Sequence, residues 1–185
     1  MYIYGGYDIK EGDRGNLYFV NLEEDEPRWV RPTLKGDVPT GLSRHSAVVY
    51  DKRLYVLGGE SSSSQSRAFF YIDLGTFQAG KPRYSPSSGE IPLEIDSHTA
   101  VVHATSANKE EHFMLVFGGY YKSKKSNVVF QYSFSRNVWT RLTESSEKPD
   151  QEPVPRTDHT AVMYNGSMYV FGGADDENNK LNDLW

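Results

Sequence analysis

Four apolar runs in this chain end in a pair of glycines: MYIYGG, LYVLGG, MLVFGG and MYVFGG. The pairs are Gly5-Gly6, Gly58-Gly59, Gly118-Gly119 and Gly172-Gly173, so the second glycines stand 53, 60 and 54 residues apart. A recurring unit of this kind constrains the fold more tightly than any single residue, because each unit must adopt the same supersecondary structure and bury its apolar surface against its neighbours.

Other features keep step with the glycines. An aromatic residue follows the second glycine by 12, 11, 11 and 12 residues, as Tyr18, Phe70, Phe130 and Trp185, each in a short β-rich stretch. A strand with a His-Ser/Thr-Ala-Val core precedes the pair: HSAVVY from His45, HTAVVH from His98 and HTAVMY from His159. His45 and His159 lie 14 residues before their second glycine and His98 lies 21 before, which places a seven-residue insertion within SANKEEH. A fourth strand is expected around Trp29 in RWVRP, Tyr84 in PRYSP and Trp139 in VWTRL. Each unit therefore reads as one antiparallel sheet of four short strands, and such sheets bury both faces by stacking radially as the blades of a propeller.

The Gly-Gly pair, the aromatic residue after it and the later Trp resemble the kelch repeat, and the resemblance covers essentially the whole chain. It implies an all-β kelch-type β-propeller fragment, incomplete at both ends. Unit one spans residues 1–31 and lacks its first strand, unit two spans 43–85, unit three 96–142 and unit four 156–185, truncated. The family often carries Arg three residues before the first-strand polar position; Arg156 fits, whereas Leu42 and Ile95 hold that place in the other units. Kelch propellers usually close with six or seven blades, so the remainder of the propeller is expected in a longer chain, and the isolated arc is expected to aggregate or oligomerise through its open faces.

Composition narrows the function. Net charge is −5 with acidic and basic residues interleaved, which argues against nucleic acid as the main partner. No cysteine is present, which excludes disulfides, thiolate metal sites and a cysteine nucleophile, and favours a cytoplasmic home. No apolar run is long enough for a helical membrane span. Asn165-Gly166-Ser167 matches a glycosylation pattern, but Asn-Gly between two strands is the preferred pair for a tight hairpin turn.

No catalytic, cofactor or metal residues are assigned. Equivalent positions on adjacent blades lie roughly 10 Å apart, too far for His45, His98 and His159 to share a metal. Glu94, Asp96 and His98 alternate and would share one face of an extended strand, but His98 is already explained by the repeat and its acidic neighbours are expected to be solvated in a loop. Within the resembled family some members are enzymes, with a Tyr-Cys crosslink or clustered Glu, Asp and His; this segment lacks the cysteine and differs in the acidic spacing. A propeller enzyme whose active site lies in other blades remains the alternative.

The leading expectation is a platform for binding other proteins, such as an adaptor or scaffold. Connections at residues 7–16, 60–67, 120–127 and 174–182, and between units at 33–42, 86–95 and 143–155, emerge on one face and are long. The opposite face has short turns such as Asp51-Lys52 and Asn165-Gly166. Long, differing loops on a rigid frame are where partners bind. The stretch 120–127 carries +3, against −2 for 174–182 and −3 for 143–155. Tyr120, Tyr121, Lys122, Lys124 and Lys125 form an aromatic-basic patch suited to an acidic peptide.

Overall fold

The computed structural model describes residues 1–62, 64–85, 88–104, 112–143 and 151–185. Every regular element among them is a strand. Blade two is built from Ser46–Tyr50, Arg53–Leu57, Phe69–Asp73 and Ala79–Gly80, and blade three from Thr99–His103, Phe113–Phe117, Val129–Ser133 and Val138–Arg141. In both, sheet order follows chain order and every pairing is antiparallel. Blade one has Tyr2–Tyr4, Leu17–Val20 and Trp29–Val30; blade four has Thr160–Tyr164, Ser167–Ala174 and Lys180–Leu184. In blades two and four a tight turn joins the first strand to the second. At Asp51-Lys52 both residues have positive φ, 45° and 61°, and at Asn165-Gly166 the angles are 46° and 80°, the backbone twist that matches a twisted hairpin.

The core lies between blades. Tyr4, Leu17, Leu42, Leu54, Val56, Phe70 and Ile72 form one buried cluster where blades one and two meet. Val48, Tyr55, Leu57, Phe69, Ile95, Met114, Val116, Phe130, Tyr132 and Trp139 belong to a second where blades two and three meet. Successive side chains of a strand point to opposite faces, so in Arg53–Leu57 the residues Leu54 and Val56 enter the first cluster while Tyr55 and Leu57 enter the second. That division explains an unbroken apolar run where a sheet wet on one side would alternate. Blades one and four each have an uncovered face, with Ile3, Trp29 and Val30 exposed on the one and Val162, Tyr164 and Phe171 on the other. Trp29 and Trp139 hold the same repeat position, yet Trp29 is 52% exposed and Trp139 1%, because only the latter has a neighbouring blade over it.

The fourth strand of blade two departs from the sequence reading. It is Ala79–Gly80, not the segment around Tyr84. The Asp73 carboxylate accepts from Gly75 N, Thr76 N and Thr76 Oγ1, which closes a tight turn and brings the chain back at once, with Ile72 opposite Ala79 and Tyr71 opposite Gly80. The Trp position of blade two is thus held by Ala79, since Val20 faces Trp29 and Tyr132 faces Trp139 in the same register. Tyr84 lies beyond the sheet and stacks on Phe69, with ring centroids 5.9 Å apart. Beyond it the chain follows the outer edge of blade three: Ser85 N donates to Asn137 O, Trp139 N to Ser88 Oγ and Gly89 N to Trp139 O.

The loops between second and third strands also differ from expectation. Three of them hold small hairpins, Tyr7–Asp8 with Gly12–Asp13, Glu60–Ser61 with Ser64–Gln65, and Tyr120–Tyr121 with Lys124–Lys125. In blade four the main strands themselves continue to Ala174 and Lys180. Ile95–Asp96, expected in an inter-blade loop, is a strand added to the third hairpin. The insertion in SANKEEH and most of 143–155 fall outside the described residues.

Since Leu57 is fully buried between two blades and Val49 is 48% exposed, Leu57→Ala is expected to cost about 2–5 kcal/mol in denaturant unfolding and Val49→Ala less than about 1 kcal/mol.

Candidate functional site: a glycine-histidine clamp and the loop face it carries

Each of the first three glycine pairs forms one packed unit with the histidine of the following blade. A Cβ on the first glycine would collide with that ring: 2.8 Å from His45 Cε1 at Gly5, 3.0 Å from His98 Cε1 at Gly58 and 2.7 Å from His159 Cε1 at Gly118. A Cβ on the second glycine of the histidine's own blade would meet its Cβ, at 2.8 Å for Gly59 and His45, 2.7 Å for Gly119 and His98 and 2.9 Å for Gly173 and His159. The ring therefore sits between two glycines, both with positive φ, which only a residue without a side chain accepts in that space.

Hydrogen bonds carry the clamp from blade to blade. Gly6 N donates to Leu42 O, Gly59 N to Ile95 O and Gly119 N to Arg156 O, at 2.7–2.8 Å. The residues before the histidines, Arg44, Ser97 and Asp158, all have positive φ, and their backbones link in series, Ser97 N to Arg44 O and Asp158 N to Ser97 O. His98 Nε2 shares a hydrogen bond of 2.7 Å with Ser46 Oγ, and His159 Nε2 one of 2.8 Å with Thr99 Oγ1. For His98 and His159 the Nε2 is thus met by the hydroxyl next to the preceding blade's histidine, while the buried Nδ1 of all three rings has no hydrogen-bond partner among the described residues. Among the described residues, no three His, Asp or Glu side chains are gathered as a metal site.

The residue three before the histidine closes the clamp from below. Leu42, Ile95 and Arg156 are each at most 1% exposed. Arg156 is satisfied there by Gly172 O at 2.9 Å and by a two-pronged pair with Asp183, both contacts 2.7 Å; this guanidinium holds the Asp183 carboxyl down to about 2.

Glu94, Asp96 and His98 do not share one face. Ser97 between the last two has φ 53°, which breaks the alternation of an extended strand. Asp96 is 2% exposed, not solvated, and accepts from Ser97 Oγ at 3.0 Å, while Glu94 pairs with Arg67 at the surface.

Above the clamp stand the hairpins of the loop face. Its geometry rests on pairing between the residue after each second glycine and the residue two before the same blade's histidine: Glu60 with Ser43, Tyr120 with Asp96 and Ala174 with Thr157. Neighbouring hairpins are also tied, Ser62 N donating to Asp13 Oδ2 at 2.8 Å.

Of the five residues of the aromatic-basic patch, Lys125 is 9% exposed and donates to Asn178 Oδ1 at 2.9 Å and to Asp175 O on the tip of blade four. It is a tie between blades and not part of an open surface, because its ammonium is taken up by carbonyl and amide oxygens of the neighbouring loop. Tyr121 packs edge-on against Phe130 at 5.2 Å, and Lys122 pairs with Glu90. Lys122, followed by the Tyr121 hydroxyl, holds the Glu90 carboxyl down to about 2. Lys122, Ser123 and Lys124 form the exposed tip, with Tyr120 half-buried beside it.

A cavity of about 330 Å³ opens on the same face between the first two hairpins, lined by Tyr7, Asp13, Ser43, Arg44 and Glu60, with Arg44 Nε 3.5 Å from Glu60 Oε2. Sequence reading did not single out these residues. The signal was present in the repeat: the residue before the histidine is Arg44, Ser97 or Asp158, a position of fixed backbone and varying chemistry.

A family model described as the KLHDC2/KLHL20/DRC7 Kelch-repeats domain matches residues 1–107 and 83–185. The chain belongs to the kelch-repeat family. Among curated kelch relatives, human Leucine-zipper-like transcriptional regulator 1 is 28% identical over 151 residues, 80% of this chain and 17% of the relative. Human Host cell factor 2 is 28% identical over 222 residues, all of this chain and 27% of the relative. Bovine Kelch domain-containing protein 3 is 26% identical over 193 residues, all of this chain and 47% of the relative. The kelch segment described here therefore spans less than half the length of each.

The buried imidazoles set a pH limit on this arrangement. Burial, with the nearby His45 and His159, lowers His98 from its ordinary 6.5 to about 3; burial and then Arg156 lower His159 to about 4. Below about pH 6.5 the unfolded chain binds protons that the folded one refuses, so stability is intact above that pH and falls as the pH drops toward 4, by up to about 1.4 kcal/mol per pH unit for each histidine. Denaturant midpoints measured near pH 7.5 and about pH 5 are expected to show that loss.

Proposed function

We propose that this kelch segment is a protein-binding platform that engages its partner through the loop face, acting as an adaptor or scaffold in the cytoplasm. The observation that carries the reading is the contrast between the two parts of the blades. The clamp repeats the same glycine-histidine contacts at the three junctions between blades, while the loops fixed directly above it differ from blade to blade, a rigid frame presenting variable chemistry. The polar groups on that face hold one another, Arg44 with Glu60, Asp13 with Ser62 N and Lys122 with Glu90, an arrangement that supports recognition over acid-base catalysis. The absence of cysteine supports the cytoplasmic assignment, and no helix among the described residues is long and apolar enough to cross a membrane.

Two regions of the face supply contacts. The cavity beside Tyr7 and Arg44 takes a side chain of the partner. The tip with Tyr120, Lys122 and Lys124 takes an acidic stretch, with Tyr121 and Lys125 holding it in place from beneath.

The test compares affinity capture by the protein, by an Arg44→Glu/Lys122→Glu/Lys124→Glu variant, and by Arg28→Glu on blade one, where the exposed Arg28 pairs with Glu26. Loss of the same captured proteins from the triple variant alone, with its thermal transition unchanged, is the expected result; capture that survives the triple variant sinks the loop-face reading.

A further inference from the structure

On the face opposite the glycine pairs, a smaller cavity of about 220 Å³ opens between blades two and three, with Arg53, Lys81 and Arg83 among its lining and the tyrosines 55, 71 and 132 as its walls. We infer that it is an oxyanion pocket that takes the phosphate monoester of a phosphorylated side chain on a partner protein. This site is separate from the loop face, so either can fail without the other.

The cations are placed by the fold. Arg53 opens the second strand of blade two, just past the Asp51-Lys52 turn, and its guanidinium lies 4.5 Å above the Tyr71 ring, with Tyr55 lining the same pocket. Tyr55 and Tyr71 face each other across the strand pair, so the guanidinium is held against a firm aromatic wall. Lys81 and Arg83 come from the segment that the early end of the fourth strand releases. At Gly80 a Cβ would lie 2.5 Å from Tyr71 Cζ, so only glycine lets the chain pass over that ring. Tyr84 then stacks on Phe69 and Ser85 N bonds Asn137 O, which anchors the segment to blade three. Lys81-Pro82-Arg83 is thus a short bridge fixed at both ends, with its two cations at the mouth.

Neutralising partners are few. Arg53 and Arg83 form no ion pair among the described residues. Asp73, opposite Arg53 in the sheet, spends its carboxylate on the turn at Gly75 and Thr76. Lys81 pairs with Asp37 at 3.3 Å, but both side chains are at least 75% exposed and such pairs yield readily to a better anion.

Size and charge then select the ligand. Whole small molecules and cofactors occupy pockets of roughly 300–1,000 Å³, so this one takes a group and not a nucleotide. A phosphate monoester carries about −1.5 to −2 at neutral pH and three acceptor oxygens, a match for two guanidiniums and an ammonium that a single carboxylate does not make. Placement between blades, open to the side, leaves room for the chain that bears the group to continue across the surface.

Phenyl phosphate is the probe, titrated into the protein while tyrosine and arginine side-chain resonances are followed by NMR. Saturable shifts confined to this pocket are expected, weakened by about tenfold or more in Lys81→Glu/Arg83→Glu and to a smaller degree in Arg83→Gln, with Lys124→Glu unchanged. Lys81 and Arg83, the two cations replaced, are exposed, and an unchanged thermal transition shows that the fold survives their replacement. No saturable shift, an equal response to benzoate, or capture on phosphoinositide vesicles through Arg83 without any phenyl phosphate binding overturns the proposal.

Discussion

The structure depends on one repeated contact: a histidine ring held between two glycines that belong to successive blades. A propeller blade is a sheet with two apolar faces and is unstable alone, so the blades must meet at a fixed distance and angle. The first glycine of each pair admits the next blade's imidazole, the second donates its N–H to the carbonyl three residues before that imidazole, and the ring closes on the hydroxyl beside its predecessor. Backbone, small residue and polar ring fix the spacing together. The apolar clusters on either side of blade two then follow, with alternate residues of one strand serving different cores.

The same contact connects fold to function. Because the clamp ends at the second glycine, the hairpins that rise from it begin from an invariant geometry and are free to vary in sequence. The loop face therefore inherits order from beneath. Lys125 illustrates the cost of reading such a face by charge alone: its amine serves the neighbouring tip, and the surface offered to a partner is narrower and more mixed than a run of lysines implies.

Much of this was legible in the sequence. The glycine pairs and the histidines recur together because they pack against one another from blade to blade, and repetition makes such contacts visible without coordinates. What repetition does not carry was missed. Tyr84 occupies a plausible offset for a fourth-strand aromatic, but the side-chain turn at Asp73 shortens the connection and leaves Ala79 in that register. Asp96 looked like a solvated loop residue because a left-handed Ser97 and a pairing with Tyr120, both set by the third dimension, lie behind its burial. The cavity at Arg44 and the cationic pocket at Arg83 arise between blades, from residues more than twenty positions apart, and no spacing in one unit announces them.

Native-state hydrogen exchange at the clamp amides tests the central claim most directly. Gly59, Ser97 and Gly119 donate between blades, and if the clamp holds the blades together their amides exchange only through global unfolding, with a denaturant dependence equal to that of the whole protein. Exchange of these amides by local opening, while Leu57 and Val116 in the strands between them stay protected, would show that apolar packing holds the blades and that the clamp is secondary.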